Sequence, residues 1–101
     1  MATAACLALA FVPAQRATVG LSMPYDPDQF RDIAYAQSIV DGKLLRDPFY
    51  RGETNFYNPV LPAAVAIASV VRARPVAETY VALGPFLSAL TAIAFFTCAA
   101  A

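Results

Sequence analysis

Residues 26–53 read DPDQFRDIAYAQSIVDGKLLRDPFYRGE and contain ten of the fourteen charged residues in this chain. The stretches on either side are almost purely apolar, and 59% of all 101 residues are hydrophobic. Only 14% are charged, whereas soluble domains are usually about 45–50% apolar and about 25% charged. A soluble domain of this size has too little interior to bury so much apolar surface. The pattern therefore predicts a polar loop between membrane-embedded segments.

The apolar stretches divide into three segments, and we predict an all-α integral membrane protein with about three transmembrane helices. The first segment covers residues 1–22, the second 56–71 and the third 79–101. At about 1.5 Å per residue the third segment reaches roughly 34 Å, enough to cross the ~30 Å hydrocarbon core. Residues 23–55 form the loop and residues 72–78 the second connection, so the chain forms a single membrane region.

The first segment has three interpretations. We favour a membrane helix, in which Arg16 extends its charged end toward the headgroups. A cleaved signal peptide ending near Pro13 is the rival, although the segment lacks a basic residue at its start. In the third interpretation the chain start is internal, and the first helix has lost its beginning.

The charges of the two connections predict the orientation. Arg72 and Arg74 precede the only acid of the short connection, Glu78, whereas residues 23–55 hold six acids and four bases. Lys and Arg are enriched in short cytoplasmic loops. We therefore predict a multi-pass protein of the cell membrane with residues 23–55 on the extracytoplasmic side.

One short helix is predicted inside the loop, either at the membrane interface or packed against other segments. Asp26 is a good N-cap, Pro27 suits the first helical position, and Gly42 can end the helix in the left-handed conformation. Helical spacing places several apolar residues on one face of this helix, which Gln37 interrupts. These residues are Phe30, Ile33, Ala34 and Val40.

Composition limits the chemistry that this chain can perform. Its formal net charge is zero and it has no basic run, so nucleic acid is not predicted as a partner. Histidine is absent, which leaves carboxylates, Lys or Tyr for acid–base work. Cys6 and Cys98 show neither metal-ligand spacing nor a disulfide framework, and we predict no protein metal site.

Asp26 and Asp28 form the only carboxylate pair beside an apolar boundary. Such a carboxylate can accept a proton from a hydroxyl nucleophile, and two of them can share a divalent cation. The simpler interpretation is that Asp26 caps the helix and Asp28 lies in its first turn. The two roles are compatible.

The same loop contains residues suited to a phosphate-bearing sugar. Lys43, Arg46 and Arg51 supply positive charge, and Arg can make two parallel hydrogen bonds to a phosphate. Tyr57 can stack on a sugar ring. The alternative is a solvated loop with local ion pairs, in which Tyr57 anchors at the interface.

Three stretches, 25–34 (YDPDQFRDIA), 41–43 (DGK) and 57–62 (YNPVLP), resemble the N-terminal region of GT-C-type polytopic membrane glycosyltransferases. That class transfers a sugar from a lipid-phosphate donor to an acceptor hydroxyl. The resemblance implies Asp26 as general base and Asp28 as a second acid that orients it or helps bind a metal. No cofactor is required with certainty, and a divalent cation stays open.

Members of the class have many membrane helices, whereas about three are predicted here. We therefore expect an N-terminal piece, a truncated product or a split subunit that is inactive alone, with the lipid bilayer and other membrane helices as partners. The alternative is a small non-catalytic membrane protein that acts through helix packing, because Gly84, Ser88 and Ala92 lie four apart. A secreted soluble domain after signal cleavage is a third possibility.

Overall fold

The computed structural model describes residues 2–100, with side chains from residue 4 onward, and its regular structure consists of four helices. These helices are α1 (Ala2–Thr18), α2 (Pro27–Val40), α3 (Val60–Arg72) and α4 (Val76–Ala100). The all-α prediction is therefore confirmed for the described residues. The ends of the predicted first and third segments, Met1 and Ala101, lie outside them.

The chain divides into two compact units. The loop unit, Ser22–Tyr80, contains α2, α3 and the first turn of α4. The apolar unit contains α1 and the part of α4 from Val81 onward.

In the apolar unit most side chains are exposed, and α4 is the helix that could cross a membrane. Over the described residues, α4 alone is long and apolar enough, and 11% of its most apolar stretch is buried. Its 25 residues extend roughly 37 Å. The aromatic rings of Phe11 in α1 and Phe86 in α4 pack edge to face, with their centroids 5.2 Å apart. Exposed apolar side chains are costly in water and favourable against lipid.

Of the three predicted membrane segments, only the third coincides with a described helix, α4, that is long and apolar enough to cross a membrane. The predicted second segment becomes helical only at Val60, because Asn58 Oδ1 accepts a 3.0 Å hydrogen bond from the Val60 N–H and Pro59 occupies the N-cap. The thirteen residues of α3 extend roughly 20 Å, less than the ~30 Å hydrocarbon core.

The predicted ends of α2 are confirmed. Asp26 occupies the N-cap, and its Oδ1 accepts a 2.9 Å hydrogen bond from the Asp28 N–H. At the other end Gly42 has φ +76°, and its N–H donates to the Ile39 carbonyl at 3.0 Å. The Lys43 N–H donates to the Ser38 carbonyl at 2.8 Å. This is a Schellman motif, in which the left-handed residue is usually glycine.

The apolar face predicted for α2 is only partly buried, with Ile33 and Ala34 half-buried. The buried residues of α2 are Tyr35, Ala36 and Ser38, whereas Phe30 and Val40 are exposed. The helix instead packs against α3, and the small side chain of Ala36 allows the close approach. Apolar spacing cannot identify such a face, because its members are small or carry a hydroxyl group.

The core of the loop unit lies along α3 and the start of α4. Its buried members include Val65, Ala66, Val76 and Thr79. A side-chain hydrogen bond joins α4 to α2, from the Tyr80 hydroxyl to Asp32 Oδ2 at 3.1 Å.

Candidate functional site

The three basic residues predicted to bind phosphate line one open hollow in the loop unit. Lys43, Arg46 and Arg51 surround a volume of about 550 Å³, which we name the basic hollow. Residues of α2, among them Ala34 and Ser38, and the C-cap residue Asp41 form its other wall. The structure therefore brings together side chains that the sequence places up to eight positions apart.

Backbone hydrogen bonds between the two sides of the loop produce this arrangement. Gly42 turns the chain back at the end of α2, and an antiparallel bridge then pairs Arg46 with Thr54. The Asn55 N–H donates to the Leu45 carbonyl at 2.8 Å. The loop thus doubles back on itself, which places Arg46 and Arg51 beside the same hollow.

Asp47 holds the tip of this loop. Its Oδ1 accepts hydrogen bonds from the N–H groups of Phe49 and Tyr50, at 2.8 and 3.1 Å. Its Oδ2 accepts a 2.9 Å bond from the Tyr35 hydroxyl. Partial burial acts to raise the pKa of Asp47, but the hydrogen bonds from Phe49, Tyr35 and Tyr50 bring the pKa below its ordinary value. The carboxylate is therefore held ionised as an acceptor for its three donors.

Tyr35 is the buried partner of this carboxylate, with 3% of its surface exposed. Burial, followed by the hydrogen bond to Asp47 and the negative charge of that residue, raises the pKa of Tyr35 to about 12. Tyr35 therefore stays neutral at physiological pH and serves as a hydrogen-bond donor, not as a base.

The lining of the basic hollow contains three bases and two carboxylates, Asp41 and Asp47, and so has a net charge of +1. Among residues 2–100 the ion pairs are Arg31 with Asp32 and Arg74 with Glu78, so none of the three basic residues of the hollow is in an ion pair there. The two acids on its wall have other contacts. Asp41 accepts a 2.9 Å hydrogen bond from Gln37 Nε2, and Asp47 accepts the bonds described above. Because neither carboxylate is in an ion pair with a base in the described part of the chain, the three cations remain available to contact an anion such as phosphate.

Tyr57 lies outside the basic hollow. The guanidinium carbon of Arg31 sits 4.4 Å from the centre of the Tyr57 ring, a cation–π contact. The Tyr57 and Tyr35 rings are 5.8 Å apart. The predicted sugar-stacking residue is thus already in contact with Arg31 on one face.

The predicted catalytic acids are also separate from the hollow. Asp26 and Asp28 are exposed at the start of α2, and Asp26 precedes Ala34, the nearest hollow residue of that helix in sequence, by roughly 12 Å along the axis. Across residues 2–100 no three His, Cys, Asp or Glu side chains converge to hold a metal ion. The catalytic role of the two acids stays a prediction.

Sequence reasoning missed Tyr35 and Asp47 as partners. The dipeptide Asp47-Pro48 was a usable signal, because Asp often accepts hydrogen bonds from the backbone two or three residues later. Nothing local indicates that Tyr35, twelve residues earlier, reaches the same carboxylate.

No protein-family model, curated protein or solved structure matches this chain. The resemblance to GT-C-type glycosyltransferases therefore rests on the sequence stretches quoted above.

Proposed function

We propose that this chain is the N-terminal, donor-binding part of a membrane glycosyltransferase of the GT-C type. In the complete enzyme a sugar passes from a lipid phosphate to an acceptor hydroxyl group. The observation that supports this proposal is the basic hollow, where Lys43, Arg46 and Arg51 are near one another and in no ion pair among residues 2–100. A phosphate group has the charge and the acceptor oxygens that these side chains bind.

The membrane assignment is supported by α4. It is long and apolar enough to cross a bilayer, and its side chains beyond the loop unit are mostly exposed. A lipid-linked donor resides in the same bilayer, so a membrane-anchored loop can meet its phosphate near headgroup depth. We propose a multi-pass protein of the cell membrane with residues 23–55 on the extracytoplasmic side.

Catalysis is assigned to Asp26 as general base, with Asp28 orienting the acceptor. A general base must lie within about 3 Å of the proton that it removes, whereas Asp26 precedes the hollow by roughly 12 Å along α2. A donor phosphate in the hollow would therefore keep the sugar carbon under attack, and with it the acceptor hydroxyl, too far from Asp26 for proton removal within this chain alone. We accordingly expect the chain alone to bind a donor without transferring its sugar.

Binding is tested with the full chain in lipid nanodiscs and polyprenyl monophosphate as the probe. Retention of the probe is measured by native mass spectrometry, with the phosphate-free polyprenol as the matched ligand. Arg46→Gln or Arg51→Gln is expected to weaken binding roughly ten-fold or more, because a hydrogen bond to a charged group contributes about 1.5–3 kcal/mol.

Arg72→Gln is the control, because it removes the same charge from an exposed position outside the hollow. Equal retention of the phosphate and the polyprenol would contradict the proposal. Equal loss of binding in all the variants would do the same, since it would show a response to net charge alone.

A non-catalytic subunit that packs against other membrane helices is the second candidate. It is favoured by Gly84, where an added Cβ would meet no heavy atom within 4 Å, and by the exposed Ser88 one turn later. If this candidate is correct, Gly84→Leu abolishes co-purification with a partner helix. If this candidate is correct, the substitution Asp26→Asn leaves co-purification unchanged. If the first candidate is correct, Asp26→Asn abolishes sugar transfer in the complete enzyme.

A further inference from the structure

The loop between α2 and α3 exposes an unusual number of large apolar side chains. These residues are Leu44, Leu45, Phe49, Tyr50 and Phe56. Phe56 is 88% exposed. Single exposed apolar residues are ordinary on a protein surface, but a cluster of this kind marks a contact surface.

This exposure belongs to an ordered loop. The Arg46–Thr54 bridge and the three hydrogen bonds to Asp47 fix its two sides. Leu45 has φ +65°, a left-handed conformation that is uncommon for a residue with a branched side chain. Backbone strain of this kind persists where the surrounding structure holds it, often at binding sites. The loop conformation thus holds Leu45 with its side chain exposed.

Basic residues alternate with these apolar side chains. Lys43 precedes Leu44, Arg46 follows Leu45, and Arg51 follows Tyr50. The acids of the same segment are Asp47, which accepts hydrogen bonds from Tyr35, Phe49 and Tyr50, and Glu53. With three bases and two acids, residues 43–57 have a net charge of +1. Apolar rings beside unpaired bases match the chemistry of a headgroup layer that contains anionic lipid, where aromatic rings sit among phosphates.

We propose that residues 43–57 are a docking surface for anionic lipid, in which the apolar side chains enter the interface and the bases contact lipid phosphates. A lipid occupant is favoured over a protein because the surface is both aromatic and basic, and because α4 of the same chain is suited to a bilayer. The docking needs no sugar donor and does not rest on the proposed function.

The absence of tryptophan from this chain allows a direct test. The variant Phe56→Trp places a single fluorescent reporter at an exposed position, with little effect on folding. The full chain is reconstituted in nanodiscs that contain either zwitterionic lipid alone or added phosphatidylglycerol, with no lipid-linked sugar. Quenching of the indole by brominated lipids and by aqueous iodide is compared in the two compositions.

Docking predicts quenching by the brominated lipids and protection from iodide, both greater with phosphatidylglycerol present. Adding Arg46→Gln or Arg51→Gln to the reporter lowers the docked-to-free ratio roughly five-fold per charge removed. Adding Arg72→Gln leaves the ratio unchanged, because this residue lies outside the loop. Circular dichroism checks that all the variants keep their helices.

Two results would overturn the proposal. One is iodide quenching as strong as in detergent together with no quenching by brominated lipid, which would show the loop in water. The other is lipid quenching that is equal in both compositions and insensitive to the Arg substitutions. Polyprenyl phosphate binding is measured separately by native mass spectrometry, so failure of the docking and failure of donor binding can be told apart.

Discussion

The hydroxyl group of Tyr35 donates a 2.9 Å hydrogen bond to Oδ2 of Asp47. Through this bond the buried side of α2 holds the loop tip that carries Arg46 and Arg51. The opposite oxygen of the same carboxylate accepts the backbone N–H groups of Phe49 and Tyr50. Asp47 thus connects the buried side of α2 to the loop residues that line the basic hollow.

Tyr35→Phe is expected to loosen the loop while the helices remain. The substitution removes a hydrogen bond to a charged acceptor, which costs about 1.5 kcal/mol or somewhat more. Hydrogen exchange of peptides that cover residues 43–57 should accelerate by roughly ten-fold. Tyr50→Phe is the control, because the Tyr50 side chain is exposed and makes no hydrogen bond in the described structure. Equal exchange in the two variants would contradict the role given to Tyr35.

The same tyrosine predicts a loss of stability at alkaline pH. Burial and Asp47 raise the pKa of Tyr35 from 10.0 to about 12, so the folded chain binds this proton more tightly than the unfolded chain. Its contribution to stability is therefore fully present below pH 10 and is lost as the pH rises toward about 12. Melting temperatures in detergent, followed by circular dichroism, should fall over this interval.

Tyr35→Phe should reduce the slope of that part of the profile, whereas Tyr50→Phe should leave it intact. The slope that remains is expected from Tyr80 in the loop unit, because burial and the nearby Asp32 raise its pKa to about 12 as well. An unchanged alkaline slope in the Tyr35 variant would assign the titration to another group. Absorbance of the phenolate provides a second measurement, because the difference between the parent chain and Tyr35→Phe isolates a single tyrosine.

The ends of α2 are predictable from the sequence, but its buried face is not. Asp26 and Gly42 act through hydrogen bonds within a few residues, so the local sequence contains the information. The buried face depends on packing against α3 and the loop, and it includes Ala36 and Ser38. Neither residue stands out in an apolar pattern, whereas the more apolar Phe30 is exposed.

The sequence predicts which basic residues form the hollow, but it does not predict that they come together. Lys43, Arg46 and Arg51 are recognisable as phosphate ligands from residue type alone. Their convergence depends on the Arg46–Thr54 bridge, and no local pattern indicates that Asp47 contacts Tyr35 and not one of these bases. The separation of Asp26 from the hollow follows from the rise of the helix, because Asp26 lies at the start of α2 and the hollow begins eight residues later, at Ala34.

Ala36→Leu should disrupt the contact between α2 and α3. Ala36 is fully buried, so three further carbon atoms must displace its neighbours, at a cost of about 1–3 kcal/mol. The melting temperature of the chain in detergent should fall accordingly. Ala64→Leu, at an exposed position of α3, adds the same atoms without crowding and should have little effect. Equal melting temperatures would show that the two helices are not tightly packed.

Ala73→Gly should stabilise the chain, although glycine usually weakens a helical region. Ala73 ends α3 with φ 49° and ψ 46°, and its N–H and that of Arg74 donate to the carbonyls of Val70 and Ser69. This is the same Schellman geometry that Gly42 adopts after α2, but here a Cβ is placed in the left-handed region, at a cost of about 1–2 kcal/mol. Glycine removes this cost from the folded state, but it also gives the unfolded chain more conformational entropy, which offsets part of the benefit. We therefore expect a net gain in stability of about 1 kcal/mol or less.

Ala64→Gly is the matched control for Ala73→Gly, because it makes the same substitution in the middle of α3. There glycine should destabilise by about 1 kcal/mol, so the two variants should shift the melting temperature in opposite directions. A loss of stability in both would mean that the Ala73 backbone is not left-handed in solution. The hydrogen bond from Ser69 Oγ to the Arg74 carbonyl, 2.6 Å long, would then also be absent, because it depends on the same turn. Hydrogen exchange at the Arg74 amide would report that difference directly.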